Sequence, residues 1–123
     1  MKQQDYGSLI QYVRSNLGPM RQSHPDVMKH FGALGKTALA PGALDARFKE
    51  LIALAIAVAT RCDDCIGFHT LALAKLGVDE QEILETLGVN VYMGGGPSLM
   101  YASHAISAFR EFLPAQAITP TPA

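Results

Sequence analysis

Two cysteines separated by two residues, Cys62 and Cys65, are the clearest chemical signal in the sequence. The chain has no other cysteine, and this CxxC spacing is typical of a redox-active dithiol or of half of a metal site. As a structural cross-link the pair would contribute little, because closing so short a loop removes little entropy from the unfolded chain. Two inert buried thiols are the remaining interpretation.

His69 follows Cys65 by four residues, which places it one helical turn away on the same face of a helix. That face continues through Ala72, Leu73 and Leu76, so we expect it to pack against other helices. A histidine on an apolar face is often a structural core residue. Its position one turn from a CxxC makes a functional role the second interpretation.

Glu50 directly precedes the apolar run of residues 51–59, which predicts a central, buried helix. Its position alone favours a solvated site at the mouth of that helix, because charged residues are seldom fully buried. The alternative is a partly buried carboxyl that acts as a general acid and base near neutral pH.

A dithiol, a histidine and a carboxyl group can together carry out thiol peroxidation. A thiolate attacks the O–O bond and becomes a sulfenic acid, which the second thiol converts to a disulfide. A carboxyl or an imidazole would move the accompanying protons. The helix N-terminus and Arg61 favour the thiolate, whereas Asp63 and Asp64 oppose it, and the sequence leaves this balance open.

Composition narrows the class of protein. The length of 123 residues predicts one domain. Charged residues make up 17% of the chain, against about 25% in typical proteins. A small domain with so little charge is expected to cover part of its surface with another subunit, so the sequence predicts self-association.

The same composition excludes several partners. Ten basic and eleven acidic residues, with no basic stripe, argue against a nucleic-acid partner. The apolar run of residues 51–59 is shorter than the ~20 residues that span a bilayer. The first residues lack the apolar core of a signal peptide. We therefore expect a soluble, cytoplasmic protein without a membrane partner.

Helical periodicity along nearly the whole chain predicts an all-α fold of about six helices. We expect a single domain over residues 1–112 and a flexible tail over 113–123, which contains three prolines. Asp45 is a good N-cap, and Asp79 with Glu82 resembles a capping box. The predicted helices cover approximately residues 5–17, 23–39, 45–61, 62–76, 79–88 and 97–112, with a glycine-rich break at 94–97.

The pattern of Glu50, Cys62-x-x-Cys65 and His69 resembles the AhpD-like alkylhydroperoxidase branch of the carboxymuconolactone decarboxylase superfamily. The similar stretches include LDAR at 44–47, ELIALA at 50–55 and CDDCIGFH at 62–69. Further similarity at EILE, MGGGP and YASHA extends it over about residues 24–112. The resemblance implies an AhpD-like helical bundle.

The resemblance also implies roles for the site residues. Cys65 would be the attacking thiolate and Cys62 its resolving partner. Glu50 would accept and donate a proton, often through water, and His69 would assist. The implied substrate is a hydroperoxide, and the implied partner is a dithiol reductant of lipoyl or thioredoxin type. No resident cofactor or metal is implied.

This chain departs from longer members of the family in two ways. Those members have a histidine just before the second cysteine, where this chain has Asp64, so the proton relay is expected to be shorter and the peroxidase activity weaker. They also contain two related halves. This chain resembles one half, which implies a homo-oligomer, a trimer or a hexamer.

Three other functions remain open. Zinc is the first, because both thiols and His69 could be ligands, with a fourth from Glu50 or His104. Lactone decarboxylation, which names the superfamily, is the second, although that branch does not rely on a CxxC pair. The third is a non-enzymatic helical oligomer with a redox-sensitive disulfide. The role of His104 stays undecided.

Overall fold

The computed structural model describes residues 5–114, and every regular element in that range is an α-helix. This confirms the predicted all-α fold. Residues 1–4 and 115–123 lie outside the described range, and they include most of the predicted tail. The helices are α1 (Tyr6–Asn16), α2 (Gly18–Ser23), α3 (Pro25–Ala38), α4 (Ala46–Ala59), α5 (Asp63–Lys75) and α6 (Glu80–Glu111).

Helices α4, α5 and α6 pack against one another and supply most of the core. Each contributes large apolar side chains with no exposed surface, because its apolar positions recur at helical spacing. Burying each such side chain contributes roughly 1.5–3 kcal/mol of transfer free energy. The completely buried examples are Leu54, Val58, Ile66, Leu73, Ile83 and Phe109.

Side-chain caps fix where the central helices begin. The Asp45 carboxylate accepts a hydrogen bond from the Phe48 N–H at 2.9 Å and starts α4. Asp79 and Glu82 form the predicted capping box at the start of α6, each side chain accepting from the other residue's N–H. Both caps agree with the sequence analysis.

Helix α6 differs from the two helices predicted at 79–88 and 97–112. The chain stays helical through Gly88, because the buried side chains of Leu87 and Asn90 hold this stretch inside the protein. That packing outweighs the cost of about 1 kcal/mol for a helical glycine. The break occurs at Gly95 instead, whose φ of 68° is accessible mainly to glycine, so only the predicted break at 94–97 is correct.

The N-terminal region contains the two predicted helices and one short helix between them that was not predicted. The Gly18-Pro19 pair ends α1, but it then begins the short helix α2, because proline fits the first turn of a helix. Helix α3 follows at Pro25 and contacts only α2 among the described helices. Its apolar side chains Val27 and Phe31 are therefore exposed, and this chain alone does not bury the face.

No helix within residues 5–114 has the length and apolar character needed to cross a membrane.

Candidate functional site

The short connection between α4 and α5 determines the position of Cys62. Arg61 has a φ of 58°, in the left-handed region that ends many helices. The reversal lets the Cys62 N–H donate to the Ala57 carbonyl at 2.9 Å. Cys62 is consequently the N-cap of α5.

Cys62 and Cys65 form a disulfide bond at the start of α5, with their Cα atoms 5.2 Å apart. The Cys62 sulfur also accepts a hydrogen bond from the Cys65 N–H at 3.2 Å. Both residues are half-buried. On reduction the thiols would lie at a helix N-terminus, where free N–H groups and the helix dipole stabilise a thiolate.

Glu50 and His69 form a close pair, with Glu50 Oε2 and His69 Nδ1 2.7 Å apart. The short connection after α4 returns α5 along it, and this brings the two residues together. Glu50 is only 9% exposed, so the solvated position expected from its place in the sequence is wrong. Packing of α4 against α5 and α6 covers this part of the helix.

The hydrogen bond to Glu50 orients the imidazole of His69. An ionised carboxylate can only accept, so His69 Nδ1–H donates to Glu50 and the ring presents Nε2 on its opposite edge. His69 is 27% exposed, which leaves part of the ring accessible from outside. His69 lies one helical turn after Cys65, the second cysteine of the disulfide.

A second carboxylate–histidine pair includes Asp63, which lies within the CxxC motif. Asp63, the first residue of α5, accepts a hydrogen bond from His104 Nδ1 at 2.8 Å. The same oxygen accepts one from the Tyr6 hydroxyl at 2.7 Å. The Tyr101 ring lies 4.5 Å from the His104 ring. His104, undecided from the sequence, therefore belongs to the surroundings of the cysteines.

Sequence reasoning missed Tyr6 and the role of Asp63. Tyr6 is 1% exposed, and burial raises the pKa of its hydroxyl far above the ordinary value, with the hydrogen bond and charge of Asp63 adding to the effect. Tyr6 thus remains a proton donor. Its backbone N–H and that of Gly7 donate to the Glu111 carboxylate at 2.9 and 2.6 Å, which fastens α1 to the end of α6.

Asp64, the residue directly before the second cysteine, is exposed. The zinc arrangement is not formed: within residues 5–114, no group of three or more histidine, cysteine, aspartate or glutamate side chains is arranged to hold a metal ion. The two cysteine sulfurs are bonded to each other in the disulfide, and His69 and His104 pair with different carboxylates.

Comparison with known proteins identifies the family of this chain. The sequence profile of the carboxymuconolactone decarboxylase family matches residues 25–108. An uncharacterised protein from Cupriavidus necator is 38% identical over 105 residues, which is 85% of this chain and 93% of that protein. Uncharacterised protein 4 in the cox locus of Paracoccus denitrificans is 34% identical over 77% of this chain and 86% of its own length.

Solved structures give the same result. A carboxymuconolactone decarboxylase family protein from Legionella pneumophila is 48% identical, with a TM-score of 0.85 over 87% of this chain and 96% of that one. A Thermotoga maritima family member, with a suggested involvement in antioxidative response, is 28% identical, with a TM-score of 0.73 over 83% of this chain and 87% of its own. The chain therefore belongs to the carboxymuconolactone decarboxylase family, and the resemblance inferred from its Glu–CxxC–His pattern is confirmed.

Proposed function

We propose that this protein is a thiol-dependent peroxidase that reduces hydroperoxides through a Cys62–Cys65 dithiol/disulfide cycle. The observation that carries the proposal is the 2.7 Å Glu50–His69 pair, one helical turn from a disulfide at a helix N-terminus. A buried acid that orients an imidazole is a proton-transfer device, and thiol peroxidation needs one. The suggested antioxidative involvement of the Thermotoga maritima relative is consistent with it.

In the first step the Cys65 thiol gives its proton to the Glu50–His69 pair. The Cys65 thiolate attacks the terminal oxygen of ROOH and forms an S–O bond as the O–O bond breaks. The leaving alkoxide takes the proton back from the pair and departs as ROH. The enzyme then carries a Cys65 sulfenic acid. The assignment of Cys65 as the attacking residue follows the family resemblance.

In the second step the Cys62 thiol attacks the sulfenic sulfur. The S–O bond breaks, the S–S bond forms, and the hydroxyl leaves as water with the Cys62 proton. The Cα separation of 5.2 Å lies within the range of ordinary disulfides, so the helix start accommodates the product.

The cycle closes when an external dithiol reduces the disulfide and becomes a disulfide itself. We propose a lipoyl-type or thioredoxin-like dithiol as this partner, because either can deliver two electrons in one exchange. Such a reductant is available in the cytoplasm, where we place the protein.

A homo-oligomer, a trimer or a hexamer, completes the proposal. Within the described residues, α3 contacts only α2 and leaves Val27 and Phe31 exposed at 55% and 73%. On the outer face of α4, Phe48 and Ile56 are each 58% exposed. Apolar patches of this kind mark protein–protein contacts, and a second copy of the chain offers matching ones.

The test is hydroperoxide-dependent oxidation of dihydrolipoamide by the purified protein. Cys65→Ser should reduce turnover to the uncatalysed background. Cys62→Ser should form a sulfenic acid that a dimedone probe traps. The result against the proposal is turnover that survives Cys65→Ser, or a wild-type disulfide that forms once and is not recycled by any dithiol.

Two outcomes would identify the other functions. Consumption of a carboxymuconolactone by the Cys62→Ser/Cys65→Ser protein would indicate a decarboxylase. Stoichiometric zinc in the purified protein, lost with the cysteines, would indicate a metal site. Weak but cysteine-dependent turnover would agree with the exposed Asp64 and its shortened relay.

A further inference from the structure

Asp63 places a carboxylate between the two cysteines, and residues from two distant helices hold it there. Its Oδ1 atom accepts from Tyr6 of α1 at 2.7 Å and from His104 of α6 at 2.8 Å. The side chain is 30% exposed. Nothing in the proposed peroxide chemistry uses this group, so its double anchoring calls for another explanation.

The charge of Asp63 bears directly on the redox chemistry of its neighbours. Reduction of the disulfide by a dithiol transfers two electrons and two protons to the cysteines. One of the resulting thiols can then release its proton to solvent and become a thiolate. A carboxylate beside that thiolate disfavours it, because the two negative charges repel each other. Hydrogen bonds donated to the carboxylate, or a positively charged group next to it, offset this repulsion.

We propose that Tyr6 and His104 are positioning residues that hold and partly neutralise Asp63 and thereby set the reduction potential of the Cys62–Cys65 couple. This inference rests on the dithiol/disulfide cycle proposed above. Tyr6 supplies a hydroxyl that donates to Asp63 and stays protonated. His104 supplies a second donor and, when protonated, a full positive charge beside the Asp63 carboxylate.

The geometry supports an electrostatic role in addition to a structural one. Both hydrogen bonds converge on one oxygen atom, which concentrates their effect on one side of the carboxylate. The centroid of the Tyr101 ring lies 4.5 Å from that of the His104 ring, so Tyr101 also contacts the imidazole. Tyr6 is completely buried, so its hydroxyl has no competing solvent contact.

Other ionisable groups surround this end of α5 and must be kept constant. Arg61 precedes the motif and Asp64 lies within it. Tyr101 lies on α6, and Glu50 of α4 pairs with His69 of α5. Variants confined to Tyr6, Asp63 and His104 leave all of them in place, so their contributions cancel in comparisons.

The experiment equilibrates the protein with reduced and oxidised dithiothreitol and measures the reduced fraction by thiol alkylation. Dithiothreitol loses two electrons and two protons and closes to its cyclic disulfide as the protein is reduced. Asp63→Asn should favour the reduced form about tenfold, which corresponds to about 30 mV for a two-electron couple. His104→Gln should shift the equilibrium several-fold in the opposite direction, because Asp63 is then left uncompensated.

A double variant separates the electrostatic role from a structural one. In the Asp63→Asn background, His104→Gln should have no further effect, because the charge that it compensates is absent. The pH dependence of alkylation should shift to lower pH in Asp63→Asn. The exposed residues provide matched controls, His30→Gln and Tyr12→Phe, which should leave both measurements unchanged.

Equal shifts from His104→Gln in both backgrounds, or no shift in the single variant, would overturn the proposal. Tyr6→Phe should act in the same direction as His104→Gln; if it unfolds the protein, the Asp63 and His104 variants still decide the matter. The measurement uses no peroxide. A failed peroxidase assay would therefore count against the proposed function, and not against this role of Asp63.

Discussion

Two carboxylate–histidine pairs are associated with the CxxC motif and its helix, and they differ in the exposure of their side chains and in their hydrogen-bond partners. Glu50 and His69 have side chains 12% and 27% exposed and bond to each other. Asp63 and His104 are 30% and 40% exposed, and Asp63 also accepts from Tyr6. The less exposed pair is the one proposed to transfer protons, because its carboxyl and imidazole groups bond directly to each other. The second pair is suited to fixing a charge.

The largest expected difference between the pairs is in the rate of the proposed peroxide reduction. Glu50→Gln should lower kcat/KM about 100-fold, because general acid–base catalysis contributes about 10²–10⁴-fold in enzymes. Asp63→Asn should change kcat/KM by only a few fold, through its effect on the thiolate. Stopped-flow measurement of thiol oxidation by hydroperoxide provides the comparison, with circular dichroism to verify folding. Equal losses in both variants would remove the distinction between the pairs.

A smaller difference is expected in stability. His69→Leu removes the partner of a nearly buried carboxylate, and an unsatisfied buried group costs about 1–3 kcal/mol. His104→Leu should cost less than about 1 kcal/mol, because Asp63 keeps the Tyr6 hydrogen bond and its access to water. Urea unfolding of both variants at one pH measures the free energies of unfolding. A larger loss in His104→Leu would contradict the ranking by burial.

The smallest expected effect is on how the free energy of unfolding declines at alkaline pH. The pKa of Tyr6 is raised in the folded protein above its ordinary value of 10.0, chiefly by burial. The stability that this shift contributes is fully present below pH 10.0 and is lost as the pH rises from there towards the folded pKa. Wild-type stability should therefore decline more steeply above pH 10.0 than that of Tyr6→Phe.

The control for this prediction is Tyr12→Phe, whose tyrosine lies on the same helix but is 67% exposed. It should keep the steep wild-type decline in urea unfolding. A Tyr6→Phe protein with an unchanged alkaline slope would show that the Tyr6 hydroxyl does not contribute there.

The sequence predicted the local features of the fold and only part of the site. Helical spacing and the Asp45 and Asp79 caps depend on neighbouring residues, so they could be identified from the chain itself. The burial of Glu50 could not be predicted from the sequence, because it results from packing of α4 against α5 and α6. Gly88 was mistaken for a helix end for the same reason.

The contacts of Asp63 with His104 and Tyr6 could not be predicted from the sequence. Asp63 lies 57 positions from Tyr6 and 41 from His104, and no local periodicity relates residues so far apart. By contrast, the 19 positions between Glu50 and His69 span a single helical hairpin, whose short connection limits the possible arrangements. Proximity of Glu50 and His69 could therefore be predicted from the sequence, whereas their hydrogen bond depends on how α4 and α5 pack.

The attachment of α1 to α6 through Glu111 joins positions 105 residues apart, and Tyr6 extends that attachment to the residue between the cysteines. If Tyr6 and Asp63 set the reduction potential as proposed, docking of α1 and the redox equilibrium of the sulfur atoms are thermodynamically linked. A change in the reduction midpoint caused by loosening α1 must be matched by an equal difference in docking energy between the oxidised and reduced proteins. Hydrogen exchange of the α1 amides in the two redox forms would measure this difference in docking energy directly.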